Sequence, residues 1–153
     1  MTDDQRHLQR AVQLAQHNVA HGGRPFGAVL THNGNVLVEA VNEIHVSQDP
    51  TAHAEMLAIR TASQRLGARL QDCVIYASGQ PCPMCLSAMY LSGISRVVFA
   101  ASNEVAAPFG LSTAAIYQQV ALPLAGQHLA IEHLPQAAMV TLYHDWQALH
   151  DAE

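Results

Sequence analysis

The chain contains no lysine at all. Its seven basic residues are all arginines: Arg6, Arg10, Arg24, Arg60, Arg65, Arg69 and Arg96. They never cluster, and the formal net charge is −5. A reader of nucleic acid normally carries a basic stripe that neutralises phosphates, so a polynucleotide substrate is disfavoured. Charged residues are scarce at 12%, while hydrophobic residues reach 50% of 153 positions. That balance argues against disorder, suits one compact domain spanning 1–153, and suggests that a partner chain covers some outer surface. No apolar run approaches the roughly 20 residues of a membrane span, so no membrane partner is expected. The opening MTDDQRHLQR is polar and lacks the features of a secretory signal. Cysteine is also sparse. Three thiols cannot all pair, and with no export signal a cytoplasmic location without disulfides is expected.

Periodicity predicts an ordered run of elements. Leu8, Val12, Ala15 and Val19 recur at helical spacing up to His21-Gly22-Gly23. The segments 26–30 and 36–41 flank Asn33-Gly34 and read as a β-hairpin. Asp49-Pro50-Thr51 supplies helix-start chemistry, Met56, Ile59, Ser63 and Leu66 a buried face, and Gly67 a stop. A strand over 73–77, a helix over 81–91 opened by prolines and a strand over 96–100 follow. A short helix over 114–120, a last strand over 128–134 and a final helix after Pro135 complete the order. In that helix Met139, Leu142, Trp146 and Leu149 share one face. Strands alternating with helices predict a mixed sheet between helical layers.

Two motifs carry the chemistry: His53-Ala54-Glu55 and Pro81-Cys82-Pro83-Met84-Cys85, each at the expected start of a helix. Cys82 and Cys85 are three apart, so a helix presents both sulfurs on one side. A helix N-terminus favours thiolates, which are zinc's preferred ligands. His53 completes a set of three, leaving the fourth tetrahedral position to water, as in catalytic zinc sites. Zinc brings a bound water's pKa from about 15.7 to about 7. Glu55, two residues from His53, is placed to move protons without being a ligand. His-x-Glu followed by Pro-Cys-x-x-Cys is the signature of zinc deaminases. A Cys-x-x-Cys alone also suits a redox pair or half of a structural zinc site. Cys73 lies in an apolar strand pattern, as an inert buried thiol would. The other nine histidines are scattered and read as surface or capping residues.

These residues resemble the cytidine deaminase-like superfamily, in particular its bacterial guanine deaminase branch. The resemblance runs from about Leu8 to Tyr117 and includes Pro25-Phe26-Gly27-Ala28-Val29, Asn42, Asp49 to Glu55, Leu66-Gly67-Ala68 and Pro81 to Cys85. It implies a three-layer α/β/α sandwich around a five-stranded mixed sheet, one Zn2+ per chain, and a homodimer. It further implies hydrolytic release of ammonia from a small heterocyclic base held by Asn42, Phe26 and Ala54. Three departures bear on which ring is taken. Gln80 stands where the family usually has Glu, Ser112 and Thr113 where guanine deaminases have acids, and Leu91 where they have tryptophan. Glu104 and Asp145 are the acids that could take over the lost role, and both also read as solvated surface carboxylates. The rival readings are a tRNA adenosine deaminase, a cytosine or aminotriazine deaminase, and a zinc-binding module without catalysis.

Overall fold

The computed structural model describes residues 1–151. The elements run α1 (Asp3–Ala20), β1 (Gly27–His32), β2 (Asn35–Val41), α2 (Ile44–Ser47), α3 (Ala54–Leu66), β3 (Cys73–Gly79) and α4 (Pro83–Ser92). They continue with β4 (Arg96–Ala101), α5 (Asn103–Ala106), α6 (Ala114–Val120) and α7 (Ala138–Asp151). Residues Met1–Gln118 form one compact unit, and those from Gln119 onward form a second.

In the first unit the strand order is β2-β1-β3-β4. β1 is antiparallel to both β2 and β3, whereas β3 and β4 are parallel and joined through α4. The hairpin forms as its turn sequence requires, with Asn33 and Gly34 both at positive φ. Alternation along β1 and β3 feeds two cores. Leu30, Ile75 and Ala77 pack with Ala58, Ile59 and Ala62 of α3 and Met89 of α4. Val29 and Tyr76 pack on the other face with Ala11 of α1. The expected α/β class with a mixed sheet and flanking helices therefore holds.

Both long helices of this unit approach the sheet through small residues. In α1 the buried positions are Ala11, Ala15 and Asn18, and Val19 of the expected stripe is exposed. A Cβ on Gly27 would fall 2.5 Å from the Ala11 carbonyl oxygen, so helix and strand touch backbone to backbone there. In α3 the buried face is Ala54, Glu55, Ala58, Ile59 and Ala62. Of the four expected positions only Ile59 belongs to it, with Met56 and Ser63 at its margin and Leu66 exposed. The helix also starts later than expected. Asp49 Oδ1 accepts from the Thr51 amide at 2.8 Å, which makes a local turn, and His53 is the N-cap. Gly67 ends the helix at φ 93° as expected.

The fifth strand expected over 128–134 is a correction. Those residues are irregular, and the sheet has four strands among the described residues. An apolar run becomes a strand only where a ladder partner accepts its backbone hydrogen bonds, and no ladder includes this one. In the second unit α7 forms after Pro135 as expected, but its apolar face is exposed, with Trp146 stacked on His150. Among the described residues no helix is long and apolar enough to cross a membrane.

Candidate metal centre and base pocket

His53 and Cys82 occupy equivalent positions, as the N-caps of α3 and α4, both with extended backbone. Pro83 at the first position of α4 has no amide hydrogen to leave unpaired. The Cys85 amide donates to Cys82 Sγ at 3.5 Å, closing the first turn around the sulfur. These two helix starts bring three donors together. His53 Nδ1 lies 3.5 Å from Cys82 Sγ and 3.6 Å from Cys85 Sγ. A tetrahedral zinc with bonds of about 2.3 Å to sulfur and 2.05 Å to nitrogen demands an N···S edge of about 3.6 Å. The observed edges match, so the donor set fits the ion by type and by spacing. Among the described residues this trio is the one group of His, Cys, Asp and Glu side chains close enough to hold a metal.

The electrostatics of the trio follow from crowding. Hydrogen bonding from Cys85, and then from His53, holds the Cys82 thiol well below its ordinary value against the cost of burial. The same sharing, reinforced by burial, pushes Cys85 up. His53 is raised first by its hydrogen bond to Cys82, with burial opposing. The arrangement thus favours a thiolate on Cys82 beside an imidazole whose protonation is favoured too, the charge pattern a dication would replace. Glu55, in the first turn of α3, is 7% exposed, and burial pushes its carboxyl up to about 7 against the pull of His53.

A cavity of about 230 Å³ opens onto this centre. His53, Glu55 and Cys82 lie on its wall with Arg24, Phe26, Asn42, Gln80 and the 110–113 loop. The Phe26 ring rests against Gly79, where a Cβ would meet it at 3.1 Å. Asn42 Oδ1 accepts from the Ile44 amide at 3.0 Å, which leaves its Nδ2 as the free donor. Two expected base contacts and three departures are placed by the same geometry. Phe26 and Asn42 line the cavity, whereas Ala54 is fully buried at the start of α3 and does not. Gln80 lines it but is occupied, its Oε1 accepting from the Asn103 amide at 2.9 Å. Ser112 Oγ accepts from the Ala114 amide, and the Thr113 amide donates to Asn103 Oδ1. Both residues are therefore spent on local structure. Leu91 is exposed on α4, and Glu104 is exposed on α5, away from the cavity lining. Asp145 is exposed on α7 in the second unit.

Two residues that matter escape motif reading. Asn18 is buried, and its Nδ2 donates to the carbonyls of Arg24 at 2.8 Å and Asn42 at 2.9 Å. It thereby pins two walls of the cavity to α1. A polar residue at the i+7 position from Ala11, on the buried side of the helix, was the available signal. Arg24 is the second, and a lone arginine before Pro25-Phe26 gives no sequence signal of its own.

Residues 1–101 match the family described as the cytidine and deoxycytidylate deaminase zinc-binding region. The chain belongs to that family, and it is a zinc-dependent hydrolytic deaminase acting on a C–N bond. Among relatives, it is 46% identical to the guanine deaminase of Bacillus subtilis over 118 residues, covering 76% of each chain. The crystal structure of guanine deaminase from Bacillus subtilis superposes with a TM-score of 0.88 at 37% identity, covering 94% of this chain and 93% of that one. A tRNA-specific adenosine deaminase from Aquifex aeolicus is 40% identical over 98 residues, covering 63% of this chain and 65% of the relative.

Proposed function

We propose that the protein is a guanine deaminase-type enzyme that hydrolyses the amino group of a free base, guanine foremost. The carrying observation is a donor trio at zinc-edge spacing, with His53 and Cys82 on the wall of one cavity, and on the same wall the buried carboxyl of Glu55, two residues on from His53. His53, Cys82 and Cys85 hold one zinc per chain. Bound there, zinc would lower the pKa of a water enough for it to attack a ring carbon at neutral pH. Glu55 is placed to take one proton of the attacking water and pass it to the ring nitrogen beside the reacting carbon, and then to carry the second proton of that water oxygen to the departing amine as the C–N bond breaks and ammonia leaves. Phe26 packs on the ring face, held by Gly79. Asn42 donates through Nδ2 to an acceptor on the ring. Ala54 sets the backbone spacing between His53 and Glu55, its side chain buried in the core. Burial of Glu55 excludes solvent from the proton path.

The similarity to the guanine deaminase of Bacillus subtilis favours guanine over the other rings. The absence of lysine and the net charge of −5 favour a free base over tRNA. Residues 1–153 act as a single deaminase domain, and the working form is a cytoplasmic homodimer. Tyr90 and Leu91, more than 80% exposed on α4, are apolar surface that a second copy would cover. Ammonia release by the zinc-loaded protein is the test, ranked by kcat/KM over guanine, cytosine, adenine, aminotriazines and a tRNA anticodon stem-loop. Guanine is expected to lead. A lead for the stem-loop, or for a smaller ring with guanine inert, overturns the substrate. Sedimentation as a 16.5 kDa species alone overturns the dimer.

A further inference from the structure

Every polar group on the cavity wall can be asked what it still has to offer a ligand. Ser112 Oγ, Thr113 Oγ1 and Gln80 Oε1 already accept hydrogen bonds, from the Ala114 amide, Asn103 Nδ2 and the Asn103 amide in turn. Glu55 and the donor trio belong to the chemistry. The groups with donors still to give include the side-chain amides of Asn42 and Gln80 and the guanidinium of Arg24, and of these Arg24 alone is charged and presents a planar fork. Arg24 stands apart from the arginines that are already engaged. Arg6, Arg10 and Arg96 pair with Asp3, Glu39 and Asp4. Arg65 donates to the Leu37 carbonyl. The Arg24 side chain makes no hydrogen bond or ion pair among the described residues, although it lies on the cavity wall. Its backbone is nonetheless fixed, because its carbonyl accepts from both Asn18 Nδ2 and the Phe26 amide at 2.8 Å. Arg24 is exposed where Glu55 is buried, so the two lie at different depths of one cavity.

We infer that Arg24 determines specificity by reading a ring edge that carries two neighbouring acceptors, a carbonyl oxygen and an unprotonated ring nitrogen. In guanine these are O6 and N7, which lie across the ring from the C2 that loses its amine. A planar guanidinium matches that pair with two parallel N–H donors, the commonest specific arginine–base contact. A wall without a free acid but with a free arginine recognises the base by its acceptors. The inference rests on the guanine reading above.

The test uses zinc-loaded enzyme and three rings: guanine, 7-deazaguanine, which lacks N7, and 2-aminopurine, which lacks O6. Wild type should prefer guanine over each probe by about 5- to 150-fold in kcat/KM, the worth of one bidentate contact. Arg24→Ala should collapse both preferences towards unity, chiefly through KM for guanine, with zinc content unchanged. Arg24→Lys should restore the positive charge but not the fork, and so recover only part of the preference. Preferences that survive in Arg24→Ala, or an equal fall for all three rings, overturn the inference while leaving guanine deamination standing. Absence of guanine turnover in wild type overturns the proposed substrate and this inference with it.

Discussion

Asn18→Ala should cost the protein both stability and its grip on substrate. The alanine keeps the helix but removes the amide that donates to the Arg24 and Asn42 carbonyls at 2.8 and 2.9 Å. The Arg24 bond is part-buried, so its loss is worth about 1 kcal/mol, while a buried carbonyl left without a donor costs about 1–3 kcal/mol. The expected destabilisation is therefore about 2–4 kcal/mol, or roughly 5–15 °C in Tm for a chain of this size. Urea and thermal melts at fixed protein and zinc concentration measure it. Asn18→Asp separates the hydrogen bonds from mere packing, because the shape is kept while a carboxylate oxygen faces two carbonyl oxygens. At pH 7 it should be less stable than Asn18→Ala. Its buried carboxyl would have a raised folded-state pKa, so its deficit should shrink as pH falls towards about 4, where the protonated acid regains one donor. Both variants should raise KM for the base, since Asn18 fixes the backbone of two cavity walls. A loss below about 0.5 kcal/mol in Asn18→Ala would refute the reasoning, as would an Asn18→Asp stability that does not recover in acid.

Two further outcomes follow from the same geometry. Glu55→Ala should retain zinc while losing turnover by about 100- to 10,000-fold, and Cys82→Ala should lose zinc itself; metal analysis beside the ammonia assay separates the two, and an active Glu55→Ala removes the proton carrier from the mechanism. Asp4 accepts from Arg96 at 2.8 Å and from Tyr76 at 2.7 Å, and these bonds hold its carboxyl well below the usual range. A depressed folded-state pKa gives stability that is present above the unfolded value of about 3.9 and lost as pH falls through the folded one. The Tm gap between wild type and Asp4→Asn should therefore be full above about pH 5 and close towards pH 2; a gap that widens in acid contradicts the pairing.

The centre was legible because its chemistry is written in adjacent residues. His53 and Glu55 share a helix start, and Cys82 and Cys85 share another, so each half of the site is local. The hairpin was legible for the same reason, since Asn33-Gly34 specifies its own backbone. The strand expected over 128–134 failed because pairing is not a local property. Its apolar pattern gives β-propensity, but only a neighbouring edge can supply the ladder. Helix faces failed in a narrower way. Reading by bulk placed Val19 of α1 and Leu66 of α3 inside, whereas both are exposed. The sheet is met instead by Ala11 and Ala15 on one side and by Ala54, Ala58 and Ala62 on the other.

That use of small residues bears on function. A helix that touches a strand backbone to backbone, as α1 does at Gly27, has little freedom to shift. Asn18 lies on that same buried stripe and reaches from it to Arg24 and Asn42. α3 carries His53 and Glu55 at the end of an alanine face packed against β1 and β3. His53, Glu55 and, through Asn18, the backbones of Arg24 and Asn42 are thus held by helices that meet the sheet through small residues. Arg24, the residue proposed to read the ring edge, sits instead on a connecting segment before β1, and Ser112 and Thr113 sit on another before α6. Exchange of acids for hydroxyls on such a segment leaves the helix starts untouched. Reaction type and ring specificity can therefore diverge separately, and a change of specificity in this fold is best sought at Arg24 and not at the metal-side residues.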